Sequence, residues 1–447
     1  MAAHSATLAK PDYAHGKLLA QQIFHETMAA IDVRHAMLAK LKFEGGALIA
    51  GGMPHPLVRP PRVVAFGKAA NRMAAVLHEI LGGRIEAGVA VAPAEAPKKL
   101  AEFRYFVGGH PFPNAAGLEG AQAALELVSC LTEEDTVIFL ASGGGSAILE
   151  LPMSAAITLA DLIEFNRVLV TSHLPIEQIN VLRKHISAIK GGRLAARSHP
   201  ARQLTLYISD VPGDLPSMVA SGPTMPDEST SEQAYELAEK NHLTARFPAS
   251  IRGYFERHEL AETPKPGDPR FGDSQYFPLL SNQDAVEAAL AAAEKLGFTA
   301  EIDHGVWDAD YQEVARANTA ALDALAQAHP GQAVCLVVGG EVTCPVTGPG
   351  MGGRNQAFAL YAAEKIVGQR RVVLSAGTDG RDGNSPTSGA VADGQTLSRA
   401  HGRGLDPTAY LAGSDSYSFF RTLGDTLDTG FTDNNVRDVR IWLDFGA

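Results

Sequence analysis

Phe66-Gly67-Lys68-Ala69-Ala70 puts a lysine in the opening turn of a predicted helix, directly after a predicted strand. Ligands of α/β sheets bind at that edge, and a helix start already favours an anion, to which Lys68 adds a point charge. A solvated lysine in an ordinary turn is the competing reading. Ser142-Gly143-Gly144-Gly145-Ser146 follows a second apolar run. Its three glycines let main-chain amides converge on phosphate oxygens without Cβ obstruction, and Ser142 and Ser146 add hydroxyl donors. The segment matches neither the P-loop nor the dinucleotide fingerprint, and taken alone a Gly-rich turn can serve packing only.

Further along, residues 183–193 gather Arg183, Lys184, His185, Lys190 and Arg193 in an otherwise acidic chain, followed at 191–192 by two glycines that suggest close backbone approach. A charged outer helix face and an anion site both fit, with Lys190 the candidate phosphate contact. Ser209-Asp210-Val211-Pro212-Gly213-Asp214 ends another predicted strand. A carboxylate there can hold Mg²⁺ or orient a hydroxyl nucleophile, and Asp210 is the better candidate, because Pro-Gly-Asp is also turn chemistry. Gly352-Gly353-Arg354-Asn355-Gln356 enters an Ala-rich helix, so Arg354 can grip a carboxylate or phosphate through two parallel hydrogen bonds that lysine cannot reproduce. Asp379, in Gly377-Thr378-Asp379-Gly380, is placed to position a substrate hydroxyl, accept its proton or hold Mg²⁺. Asp382 reads equally as a turn stabiliser or a ligand contact, and His110, in Gly109-His110-Pro111, as a ligand contact or a hydrogen-bonded loop residue.

The elements that must carry these groups are short apolar runs alternating with helical stretches. Residues 62–66, 87–91, 136–141 and 204–209 read as strands, and their rhythm predicts a largely parallel sheet covered on both faces. Residues 16–41 read as one amphipathic helix packing on the first domain. The Pro-, Gly- and charge-rich stretch around 263–269 reads as a surface loop or linker, setting the expected division at 1–265 and 266–447. A second series follows, with strands at 275–280, 299–303, 333–338, 371–375 and 439–443 and helices at 284–296 and 311–328.

A chain of 447 residues with 45% hydrophobic content exceeds the size at which one core stops growing, in keeping with two domains. The net charge of -12 argues against nucleic acid or anionic membrane as a partner. Three cysteines, Cys130, Cys335 and Cys344, suit a reducing compartment without a disulfide framework. Residues 1–16 lack the apolar core of a leader and no run approaches the roughly 20 residues that span a bilayer, so a cytoplasmic protein is expected.

Taken in order, these segments resemble the motif series of the MOFRL-type glycerate kinases: Gly67-Lys68-Ala69, Gly109-His110-Pro111, Ser142 to Ser146, Lys184 to Arg193, Ser209 to Asp214 and Ser221-Gly222-Pro223 in the first half. Gly339-Gly340-Glu341, Gly352 to Gln356, Gly377 to Gly380, Asp415-Ser416-Tyr417 and Thr429-Gly430 continue the series. The resemblance implies an α/β enzyme of two domains: a larger amino-terminal Rossmann-like three-layer α/β/α domain with a parallel sheet, and a smaller carboxy-terminal α/β (MOFRL) domain, with the active site in the cleft. It further implies that ATP and a divalent cation, Mg²⁺, serve to phosphorylate D-glycerate at its 2-hydroxyl. Lys68, Arg354, Asp210 and Asp379 are then the catalytic candidates, with Asp210 and Asp379 toward metal. Ser142 to Ser146 and Lys190 would hold ATP; Arg354, Lys68, His110 and Asn355 would meet the acid. The expected partners are those small molecules alone, with a homo-oligomer left open. A hydroxypyruvate reductase-type oxidoreductase and a non-catalytic sugar-acid or nucleotide sensor are the rival readings.

Overall fold

The computed structural model describes residues 12–172, 174–211 and 216–446. Two compact units divide the chain, one spanning Ala36–Leu279 and the other joining the stretch before Ala36 to the stretch from Leu280 onward.

The first unit begins with an antiparallel meander, β1 (Leu41–Glu44), β2 (Ala47–Ala50) and β3 (Met53–Pro56). Both of its turns are glycine pairs with positive φ, Gly45-Gly46 and Gly51-Gly52, the conformation that two-residue hairpin loops require. The main sheet then forms from β4 (Arg62–Phe66), β5 (Ala87–Ala92), β6 (Phe103–Val107), β7 (Thr136–Ala141), β8 (Arg202–Ile208) and β9 (Ser274–Leu280), in the order β6-β5-β4-β7-β8-β9. Strands β4 to β8 run parallel. They read as unbroken apolar runs because helices cover them: β7 is buried along its whole length. The strand order reverses between β4 and β7, which makes their carboxyl ends the crevice of the sheet. Helices Leu159–Val170, Ile176–Ile186, Ser231–Lys240 and Ala249–Glu256 close a separate core around Phe165, Phe247 and Phe255.

Several sequence expectations are corrected by this arrangement. Residues 275–280, expected to open the second α/β series, instead become β9 on the edge of the first sheet. The stretch 263–269 is no linker: Thr263 is buried, its hydroxyl bonds the Asp227 carboxylate at 3.0 Å, and Lys265 bonds Thr263 at 2.6 Å. Consequently the chain passes between units at Leu279–Leu280 and not at 265–266. The expected helix 16–41 is two, Tyr13–Ala30 and Val33–Lys40, because Asp32 accepts the His35 amide at 3.0 Å and starts the second one afresh.

Helix Tyr13–Ala30 also packs in the second unit, where the sequence reading had assigned it to the first. Its small Gly16 lies on Phe445 and Val372, and Lys17 pairs with Asp425 at 2.5 Å and Asp393 at 3.5 Å. Here the sheet comprises β10 (Thr299–Asp303), β11 (Val334–Val338), β12 (Arg371–Gly377), β13 (Gly389–Asp393), β14 (Thr426–Leu427) and β15 (Asp438–Asp444), ordered β10-β11-β15-β12-β13-β14. Only β10 and β11 pair in parallel; β15 enters between β11 and β12 antiparallel to both. Cys335 is buried in β11, Cys344 is half-buried and Cys130 is exposed. Among the described residues no helix is long and apolar enough to cross a membrane.

Candidate functional site

At the crevice of the parallel sheet, the turns after β4 and β7 are tied into one piece. The Lys68 amide donates to the Gly143 carbonyl at 2.9 Å, the Ser142 amide to the Phe66 carbonyl at 3.1 Å, and the Ala69 amide to Ser142 Oγ at 3.0 Å. Gly67 has φ +106°, and a Cβ there would overlap Ser142, so only glycine lets the two turns lie so close. Asp210, just beyond β8, presses its carboxylate against Gly143, where again a side chain would collide. A Cβ at Gly144 would meet the ring of His110 at 3.1 Å, which puts this exposed histidine beside the cradle. Thus Lys68, Ser142 to Ser146, Asp210 and His110 come together around one sheet edge. Asp214 lies outside the described residues.

Behind the cradle stand two residues that motif reading of the chain did not single out by role. Ser146 Oγ shares a hydrogen bond of 2.7 Å with Ser221 Oγ, which donates to Asn180 Oδ1 at 2.9 Å. Ala220 and Ser221 both hold positive φ, at 52° and 62°, and Ala220 packs on Gly145. Left-handed non-glycine residues are strained and persist where surrounding packing over-determines them, commonly at ligand sites. Ser221-Gly222-Pro223 was the only sequence signal for this support, since Asn180 sits 41 positions away on another helix.

The cationic segment 183–193 turns inward. Helix Ile176–Ile186 stops at Ser187, so Lys190 does not share a helix with Arg183. Lys190 is 0% exposed and ion-paired to Glu150, which also accepts from Ser187 Oγ at 2.6 Å. Burial pushes the Lys190 ammonium below the ordinary lysine range, against the pull of Glu150. Lys184 is likewise interior, bonded to Asp227 at 2.8 Å. Lys190 therefore holds the fold of this unit together and is not offered to a phosphate, and the charged outer face expected as the alternative is absent too. Glu150 gave no signal because its acid stands alone in an apolar stretch.

In the second unit, Arg354 opens helix Arg354–Lys365. Its guanidinium takes a fork of two bonds to the buried Asp438, Nε to Oδ2 at 2.7 Å and Nη2 to Oδ1 at 2.9 Å, and Nη1 reaches Glu341 at 3.1 Å. Burial would lower this group, but Asp438 and then Glu341 raise it above the ordinary arginine range. The two free amides at the helix start, of Asn355 and Gln356, donate to Asp382 at 3.0 and 2.8 Å. A carboxylate suits that positive end, yet burial raises the Asp382 carboxyl to about 7, with the two amides and Arg354 opposing. Asp382 is thus the stabiliser of the two readings it allowed. Asn355 is 0% exposed and held by Ser375 at 2.6 Å and by Asp382, so its side chain is spent inside the fold and the expected contact with the acid is corrected. Half-buried Asp379 accepts the Arg381 amide at 3.1 Å in the loop after β12. Asp438 escaped sequence reading because it begins β15, one residue before the strand the apolar pattern marks.

Hard cations prefer oxygen donors, and Mg²⁺ keeps several waters, so one or two carboxylates beside ligand phosphates suffice to hold it. Asp210 against the Gly143 backbone fits that pattern. Among the described residues no three His, Cys, Asp or Glu side chains gather into a cage of their own.

A Rossmann-like sheet with a backbone cradle and a lysine at its switch point, followed by a mixed α/β unit bearing a doubly anchored arginine, defines a class of two-unit α/β proteins that handle small anions. Comparison with known proteins narrows the class. Residues 19–256 match the family described as a domain of unknown function, DUF4147, and residues 334–438 match the MOFRL family. A D-glycerate 2-kinase of Thermotoga maritima is 38% identical over 85% of this chain and 90% of its own. A solved glycerate kinase structure from the same organism superposes with a TM-score of 0.82 at 34% identity, over 96% of this chain and 99% of that one. An Agrobacterium vitis relative, 36% identical over 85% of this chain and 98% of its own, carries a provisional hydroxypyruvate reductase name. The chain belongs to the MOFRL-type glycerate 2-kinase family.

Proposed function

We propose that this protein transfers the γ-phosphoryl group of ATP to the 2-hydroxyl of D-glycerate, releasing ADP and 2-phospho-D-glycerate. The observation that supports it best is the fused pair of turns at the switch point, where Lys68 and the Ser142–Ser146 backbone are locked to each other by the 2.9 Å bond from Lys68 to Gly143. Phosphoryl transfer asks a protein mainly for alignment and charge stabilisation, and a rigid cradle with one ammonium supplies both to the triphosphate. Lys68 neutralises the transferring group. Arg354 receives the carboxylate of glycerate through the part of its guanidinium that Asp438 leaves open. Asp210 would hold Mg²⁺ together with phosphate oxygens, and Asp379 is the second candidate; the ion supplies neutralisation of developing charge on those oxygens. His110, beside Gly144, belongs with the phosphates in this scheme and not with the acid. The protein is assigned to the cytoplasm on its composition.

ADP release, measured with and without D-glycerate, tests the reading: strong dependence on the acid supports the kinase, and acid-independent release would sink it. The reductase reading draws on the name of the Agrobacterium vitis relative. It requires a dinucleotide site, so saturable NADH binding that ATP does not compete away would favour it.

A further inference from the structure

Two acids hold Arg354, and they differ in kind. Asp438 is 0% exposed and takes the Nε and Nη2 edge of the guanidinium by two bonds of 2.7 and 2.9 Å. Glu341 meets Arg354 at Nη1, at 3.1 Å, and its side chain is 41% exposed in the loop after β11. Its other oxygen lies 3.7 Å from Nε of Arg437, too far for a hydrogen bond, and that buried Nε has no partner. Glu341 therefore stands between two guanidiniums and satisfies neither fully. An anion in its place would face Nη1 and Nη2 of Arg354, a second planar fork, together with the unpartnered Nε of Arg437.

We infer that Glu341 is a specificity-determining residue, a displaceable carboxylate that occupies the open edge of Arg354 until the carboxylate of the acid substrate replaces it. The inference rests on the reading that Arg354 receives that carboxylate. Charge explains the selectivity. Arg354, Arg437 and the buried Arg440 face Asp438, Asp308 and Glu341, three charges against three, so when Glu341 swings toward solvent one positive charge is left uncompensated and an anionic ligand restores the balance. A neutral triol has nothing with which to compete. Because the Glu341 pair is partly exposed, its hold is modest, and the competition it imposes amounts to about three- to fivefold in apparent affinity.

The test is a kinetic comparison of the parent enzyme with E341Q. Gln keeps the shape and removes the charge, so KM for D-glycerate should fall about three- to fivefold while KM for ATP and kcat stay within about twofold. Calorimetric titration of D-glycerate without ATP, on E341Q and on E341A, reads the same gain without turnover. An unchanged or raised glycerate KM in well-folded E341Q overturns the inference, as does a fall confined to the KM for ATP. If the parent itself shows no glycerate-dependent ADP release, the functional reading fails; if the parent is active and the variant does not move, only the role of Glu341 fails.

Discussion

Lys190 and Arg354 are both cations that adjoin a pair of glycines, Lys190 before its pair and Arg354 after, and the proposed scheme uses them in opposite ways. Lys190 is sealed in the first unit against one acid, Glu150, with no surface left over. Arg354 is anchored by a buried acid on one edge and stays 29% exposed on its side chain. What separates them is the number of donors. An ammonium paired in the interior has its charge cancelled, whereas a guanidinium has five N–H groups in a fixed plane and can be fastened along one edge while presenting the other. Partner geometry, more than burial itself, distinguishes a structural charge from a working one.

The largest effect should come from disturbing the working cation. Arg354→Lys keeps a charge beside buried Asp438 but removes the fork, and turnover measured by ADP release should fall on the order of 10³-fold with the fold intact. Near-parental turnover in that variant would erase the contrast. Next comes the structural cation. Lys190→Ala leaves the Glu150 carboxylate buried and uncompensated, which should cost about 3–5 kcal/mol in urea unfolding. A variant that instead keeps its stability and loses ATP affinity would move Lys190 into the binding machinery.

A smaller loss is expected at the cradle. Gly143→Ala drives a methyl group into the Asp210 carboxylate, and the resulting displacement should lower kcat/KM roughly tenfold, with unchanged circular dichroism. Unaltered kinetics would mean that Asp210 is free to move without consequence.

A last effect, spread over pH, sharpens the electrostatics of the arginine helix. The Asp382 carboxyl is raised from the usual carboxylate range to about 7, so between roughly pH 4 and 7 the folded state holds a proton that the unfolded state has lost. Stability should accordingly decline as pH rises through that window, by at most about 1.4 kcal/mol per pH unit, and level off above it. Urea midpoints from pH 5 to 8 should show this slope in the parent and lack it in Asp382→Asn; equal slopes would refute the assignment.

How legible each region was in the sequence follows the same physics. Strands β4 and β7 and the helix Tyr311–Ala328 were visible because periodicity is local, with Gly67 just past the end of β4 and the capping acid Asp310 at the start of the helix. Lys68, Ser142 to Ser146 and Arg354 could be singled out as candidates because their signals are contiguous. The partners of the charges were not, since Glu150 lies 40 positions from Lys190 and Asp438 lies 84 from Arg354. Sheet membership was hidden for the same reason: β9 looks like any apolar run, and only its neighbours decide which sheet it extends. The meander β1 to β3 and strand β6 escaped notice, being short and largely exposed on one face, with too little apolar alternation to register.

The second sheet draws its covering helix, Tyr13–Ala30, from the far end of the chain, while its strand β15 begins at Asp438. During synthesis the two are separated by about 400 residues, or roughly 20–80 s of elongation at ordinary ribosomal speed. The helix can meet helix Asn282–Lys295 and β12 earlier, but its docking surface is complete only once β15 has formed. Until then the face of the helix that bears Leu19, Ile23 and Phe24 stays incompletely covered.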